Sequence, residues 1–121
     1  MKKVEWFEIP SSNFQRAVDF YQAVFDTQLR IQPFGAFQMG VFSHTPDDGA
    51  GCVIHGEGYT PGADGVVIYL DASPSIDAVL GRIEAAGGQI KMAKMALPQD
   101  HGYIAYFHDT EGNRLGLHAM N

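Results

Sequence analysis

The order of apolar patterns in the first half of the chain recurs 61 positions later, and this repeat constrains the fold more than any other feature. Phe7-Glu8-Ile9 falls on Ile68-Tyr69-Leu70, Ala17-Val18 on Ala78-Val79, Gln28-Leu29 on Gln89-Ile90, and Ile54 on Leu115. Identities are few, so periodicity alone gives two similar α+β modules, with two unrelated ferredoxin-like pieces as the alternative. One constant shift across strand, helix and strand favours the repeat. At 121 residues the chain is read as one domain, with modules 1–58 and 64–121 and a linker at 59–63.

Within the first module, Val4–Ile9 alternates and is rich in β-favouring residues, so it reads as a strand ended by Pro10. Ser12-Asn13-Phe14-Gln15 fits a capping box with Ser12 as the cap. Phe14, Ala17, Val18, Tyr21, Val24 and Phe25 then follow at helical spacing. Leu29–Ile31, Ala36–Phe42 and Gly51–His55 read as three further strands, with a turn at Thr45-Pro46-Asp47-Asp48-Gly49.

The second module repeats this order. Gly65–Leu70 reads as a strand, and Ser73-Pro74 as the start of a helix with Pro at its first position. Ile76, Val79, Leu80 and Ile83 form its apolar stripe, and Gly87-Gly88 ends it. Gln89–Met95, His101–His108 and Arg114–His118 are the remaining strands, the last two joined by a turn at residues 109–113. Lys91 and Lys94 on the first of these protect an edge against mispairing.

Each helix has one apolar stripe and covers one sheet face, so the other face is left to line a cleft. Strand alternation sends Phe7 and Ile9 toward the helix and Trp6 and Glu8 into the cleft. By the same rule Leu115 and Leu117 face the helix, while Gly116 and His118 face inward. A face carrying Glu8 and His118 is unlike an ordinary core. Trp6, Tyr69 and Tyr106 share the inward parity and suit contact with a flat or apolar ligand, or simply fill the space.

Composition narrows the function classes. Hydrophobic residues make up 45% and charged residues 18%, an ordinary globular balance. No apolar run approaches a membrane span, and Glu5 and Glu8 interrupt the start where a secretory signal would run, which points to a cytoplasmic protein. A net charge of −6 with scattered basic residues argues against nucleic acid and for a small-molecule partner. The single cysteine, Cys52, has no disulfide partner and reads as a small buried hydrophobe. Gly56–Gly65 is glycine-rich, but a strand rather than a helix follows, so it is a linker and no phosphate cradle.

Phe7-Glu8-Ile9-Pro10 with Phe14-Gln15-Arg16-Ala17-Val18-Asp19-Phe20-Tyr21 resembles the opening of the vicinal oxygen chelate superfamily. That group includes lactoylglutathione lyase, the bleomycin- and fosfomycin-resistance proteins and the extradiol dioxygenases. Glu84-Ala85-Ala86-Gly87-Gly88 and Asp109-Thr110-Glu111-Gly112-Asn113-Arg114-Leu115 resemble its second helix end and final hairpin. The resemblance implies two βαβββ modules curving as a mixed-sheet half-barrel around a cleft, helices outside.

Metal-using members place one ligand on the first and one on the last strand of each module. Those positions map to Trp6, Val67, Gly116 and, through the 61-residue shift, His55. Only His55 offers a donor, whereas a divalent site wants three or four N or O ligands. The resemblance therefore implies a protein that binds a small organic molecule in the inter-module cleft, with no metal or other cofactor. Its binding residues would be Trp6, Glu8, His55, Tyr69, Tyr106 and His118. The alternative is an enzyme, a lyase or isomerase of the glyoxalase kind, with Glu8 as base and His55 as acid or metal ligand. A different metal site built from Glu8, His55 and His118 is also conceivable. The resemblance further implies a homodimer, since members complete pockets across a two-fold interface.

Overall fold

A computed structural model describes residues 3–45 and 50–121. The chain runs β1 (Phe7–Pro10), α1 (Phe14–Phe25), β2 (Arg30–Phe34), β3 (Phe37–Val41) and β4 (Gly51–His55). It then repeats as β5 (Tyr69–Asp71), α2 (Ile76–Ile83), β6 (Gln89–Ala96), β7 (Tyr103–His108) and β8 (Arg114–Ala119). Each module forms one four-stranded mixed sheet, ordered β1-β4-β3-β2 and β5-β8-β7-β6. The first strand of each pairs in parallel with the last, as Glu8 with Cys52 and Tyr69 with Gly116. The turn expected at residues 45–49 lies, apart from Thr45, outside the described residues.

These registers correct the single shift read from sequence. Tyr69 lies 61 positions after Glu8, but Gly116 lies 64 after Cys52. The connection between β6 and β7 is longer than the turn between β2 and β3, so the counterpart of Gly116 is Cys52 and not His55.

Caps and strand ends also differ from expectation. Asn13, not Ser12, caps α1, its side-chain oxygen accepting from the Arg16 amide at 3.1 Å. Ser12 is instead drawn to Glu111, and Gln15 donates to Asp19. Ser75 caps α2 and accepts from the Ala78 amide, so Pro74 precedes the helix rather than opening it. Ser73 sits two residues before the cap, its amide donating to the Asp71 carboxylate. β1 begins at Phe7 rather than Val4, where its pairing with β4 starts. β5 is shorter than Gly65–Leu70 at its start, since residues 62–65 bond side chains of the final hairpin instead of a strand: the Gly62 amide donates to Asn113 and the Gly65 carbonyl accepts from Arg114.

One core runs through both modules. Val18, Tyr21 and Val24 of α1, Ile76, Val79 and Ile83 of α2, and Ile9, Val53, Leu115 and Leu117 of the strands belong to it. Phe20 lies off the stripe read from sequence yet is fully buried, packed on Phe107 of the second module with ring centroids 6.0 Å apart. A side chain at Gly88 would collide with that Phe20 ring. Thus α1 has two buried flanks, one for its own sheet and one for the neighbouring module.

The final hairpin clamps the modules together. Glu111 accepts from the amides of Ser12 and Asn13 and from the Arg16 guanidinium, its side chain wholly buried. It sits on the open N-terminus of α1, where orphan amides favour an anion. Beside it the Tyr21 hydroxyl donates to Asp109, and the Asn113 amide donates to the Pro10 carbonyl.

Candidate functional site

Alternation along β1 and β4 puts Glu8 on the sheet face that carries Cys52 and Ile54, away from the helix. On that face Met39, Val41, Cys52 and Ile54 are buried together, with Phe37 and Tyr59 packed over them. Phe37 and Tyr59 meet edge to face at 5.5 Å. Both Glu8 oxygens are engaged, one by the Trp6 indole N–H at 3.2 Å and the other by the Tyr59 hydroxyl at 2.9 Å. The bond to Glu8 raises the Tyr59 pKa above its ordinary value. Cys52 is fully buried, and burial, then the Glu8 charge, pushes its thiol up to about 12. Most of this face is covered by its own side chains, while Glu8 also lines a cavity of about 210 Å³ with Ile68, Asn113 and Arg114 of the second module.

His55 stands apart from that cluster. It follows Ile54, so it points to the opposite face, where its Nδ1 lies 2.8 Å from the Ser11 carbonyl oxygen. Glu8 and His55 therefore do not converge.

The second module leaves its corresponding face open. A cavity of about 480 Å³ is lined by Tyr69, Leu70, Asp71, Leu97, Ile104 and His118. β5 supplies Tyr69 and Asp71, and pairing with β8 sets Asp71 opposite His118. β7 supplies Ile104, also opposite His118, and beside the cavity carries Tyr106, opposite Gly116. The Tyr69 and Tyr106 hydroxyls bond each other, which raises the Tyr69 pKa. His118 Nε2 lies 2.8 Å from the His101 carbonyl. The Ser73 hydroxyl and amide hold the Asp71 carboxyl below its ordinary range, against a smaller upward push from burial.

The sequence-derived residues thus fall into three groups. Trp6 and Glu8 are together on the filled face, Tyr69, Tyr106 and His118 on the open one, and His55 on the helix side of β4. Of the cavity walls missed from sequence, Asp71 and Ile104 carried a legible signal. Each lies two residues from an inward-facing tyrosine, at Tyr69 and Tyr106. Leu97 and Tyr59 lie in connecting segments, where no periodicity marks them.

A profile of the Glyoxalase/Bleomycin resistance protein/Dioxygenase superfamily matches residues 3–117. The chain belongs to this superfamily. Among solved structures, this glyoxalase-superfamily chain is similar to the genomically encoded fosfomycin resistance protein FosX of Listeria monocytogenes. The TM-score there is 0.70 at 17% identity, over 98% of this chain and 93% of that one. A glyoxalase/bleomycin resistance protein of Streptomyces sp. CB03234 matches with TM-score 0.67 and 21% identity, over 93% and 96% of the two chains. A V278E mutant of glyoxalase I from Zea mays matches with TM-score 0.70 and 15% identity, over 95% of this chain and 45% of that one. At these identities the likeness is one of fold. No curated protein matches the sequence.

Metal-using members of the superfamily hold their ion at four strand positions, which here carry Trp6, Cys52, Val67 and Gly116. This donor set does not fit a divalent ion. Trp and Val offer no ligand atom and Gly no side chain, which leaves the Cys52 thiol as the single donor of the four, too few for a divalent site. A side chain at Gly116 would have to displace the Tyr69 ring, since a Cβ there would sit 2.5 Å from it. Among the described residues no three His, Cys, Asp or Glu side chains gather as a metal would need.

Proposed function

We propose that this glyoxalase-superfamily chain binds a small organic molecule in the open cavity of its second module, without a catalytic divalent ion. The observation that carries the reading is the contrast between the two equivalent sheet faces. The first is largely covered by its own side chains and borders only a smaller cavity of about 210 Å³ beside Glu8. The second has an apolar hollow of ligand size with Asp71 and His118 on its wall. Leu70, Leu97 and Ile104 supply contact area, while Asp71, His118 and the tyrosine hydroxyls fix orientation. The lyase or isomerase alternative needs Glu8 and His55 in one site, and they lie on opposite faces of the first sheet.

We also read the chain as a cytoplasmic homodimer in which a second copy covers the open face. Tyr69 and Met95 on that module are 44% and 47% exposed, which supports a partner there. No described helix is long and apolar enough to cross a membrane.

A thermal-shift screen of small organic compounds, run with EDTA and again with nickel, zinc or manganese, tests the reading. Compounds that raise the melting temperature equally in chelator, and lose the effect in Ile104→Trp, are the expected result. Stabilisation that appears only with a metal would overturn it.

A further inference from the structure

The polar groups on the cavity wall accept hydrogen bonds and offer almost none. Asp71 is a carboxylate with one oxygen bonded to the Ser73 amide at 2.8 Å, and among the described residues no lysine or arginine forms an ion pair with it. His118 Nε2 faces the His101 carbonyl, which can only accept, so that nitrogen carries the hydrogen. In the neutral ring Nδ1 is then an acceptor. Tyr69 and Tyr106 spend one hydroxyl hydrogen on each other, leaving a single donor between two oxygens. The other walls, Leu70, Leu97 and Ile104, are apolar, and among the described residues no lysine or arginine lines the hollow.

We propose that the ligand of this cavity is an organic ammonium ion carried on an apolar body. The inference rests on the binding reading above and adds the chemical class. An N–H cation donates to the acceptor sites Asp71 keeps beyond its Ser73 bonds and meets the Asp71 charge in a partly dehydrated setting, where attraction exceeds that in bulk water. The chain's net charge of −6 draws the same sign of ligand. An anion would face the Asp71 carboxylate, with no lysine or arginine paired to it among the described residues and only the His118 ring opposite it. A neutral donor would fill the hollow without the charge contribution.

Three compounds with one apolar body separate these cases: 4-phenylbutylamine, 4-phenylbutanol and 4-phenylbutyrate, titrated while the Ile104 methyl resonances are followed by NMR. The amine is expected to bind about tenfold more tightly than the carboxylate and roughly fivefold more tightly than the alcohol. Asp71→Asn keeps an oxygen for the Ser73 amide and should weaken the amine about fivefold while leaving the alcohol within about twofold. In the unaltered protein, raising salt from about 0.02 to 0.5 M should weaken the amine and spare the alcohol, which tests the charge even if the variant fails to fold. Saturable binding of the alcohol and carboxylate with no preference for the amine would contradict the ligand class alone. No saturable shift at Ile104 from any of the three would contradict the cavity reading as well.

Discussion

The space above Gly116 is taken by the Tyr69 ring, so the residue where metal-using relatives carry a ligand cannot bear a side chain here without moving its neighbour. Gly116→Glu is therefore expected to lower stability by about 1–3 kcal/mol through overpacking, and to leave nickel or manganese affinity unchanged. Urea unfolding and equilibrium dialysis check the two parts. Cys52 gives a second test at this scale. With its thiol buried and pushed up to about 12, it should resist thiol reagents at pH 8 and react only when the chain unfolds. Much at this scale was legible in sequence. The two-residue period placed Glu8, Gly116 and His118 on cleft faces, and composition read Cys52 as buried. His55 was misplaced because the connection from β6 to β7 is longer than the tight turn from β2 to β3, which moves the later strands off the 61-residue shift, and no local pattern encodes that length.

At the scale of elements, the hairpin after β7 does more than reverse the chain. Burial pushes the Glu111 carboxyl up, but the Arg16 guanidinium, the Asn13 amide, and the Thr110 and Ser12 hydroxyls outweigh it and hold it at about 2. Its folded pKa lies below its unfolded value, so the stabilisation is present above the ordinary carboxylate range near 4.5 and is lost as pH falls toward 2. Glu111→Gln should cost roughly 2–3 kcal/mol at pH 7 and flatten the acid dependence of stability between about pH 5 and 2. Chemical unfolding of both proteins across that range checks it; parallel acid profiles would contradict the assignment. Strand β4 was readable to the residue and α1 to within a residue at its capped end from their apolar spacing. The clamp was not, because a turn sequence announces a reversal and not the partner on which it docks. Phe20 was missed for the same reason: its burial comes from Phe107 and Gly88 of the other module.

Across the whole molecule, the internal repeat correctly implied two like modules, and it also concealed their divergence. Sequence alternation treated both cleft faces as one site, but the faces differ in what fills them, and filling depends on segments such as the one carrying Tyr59. The homodimer proposed above predicts a sedimentation mass of twice the chain's 13.2 kDa, with Tyr69→Lys shifting it toward the monomer. A change of mass absent in that variant would place the interface elsewhere. The central claim is that a small molecule enters the second module's hollow while no ion sits at the four strand positions. It is tested most directly by a crystal structure grown with manganese and 4-phenylbutylamine, with anomalous data collected. Density for the amine against Tyr69, Asp71, Ile104 and His118, and no anomalous peak near Trp6, Cys52, Val67 or Gly116, is the predicted result. A manganese ion held by those strands, or a hollow left empty of the amine, would contradict it.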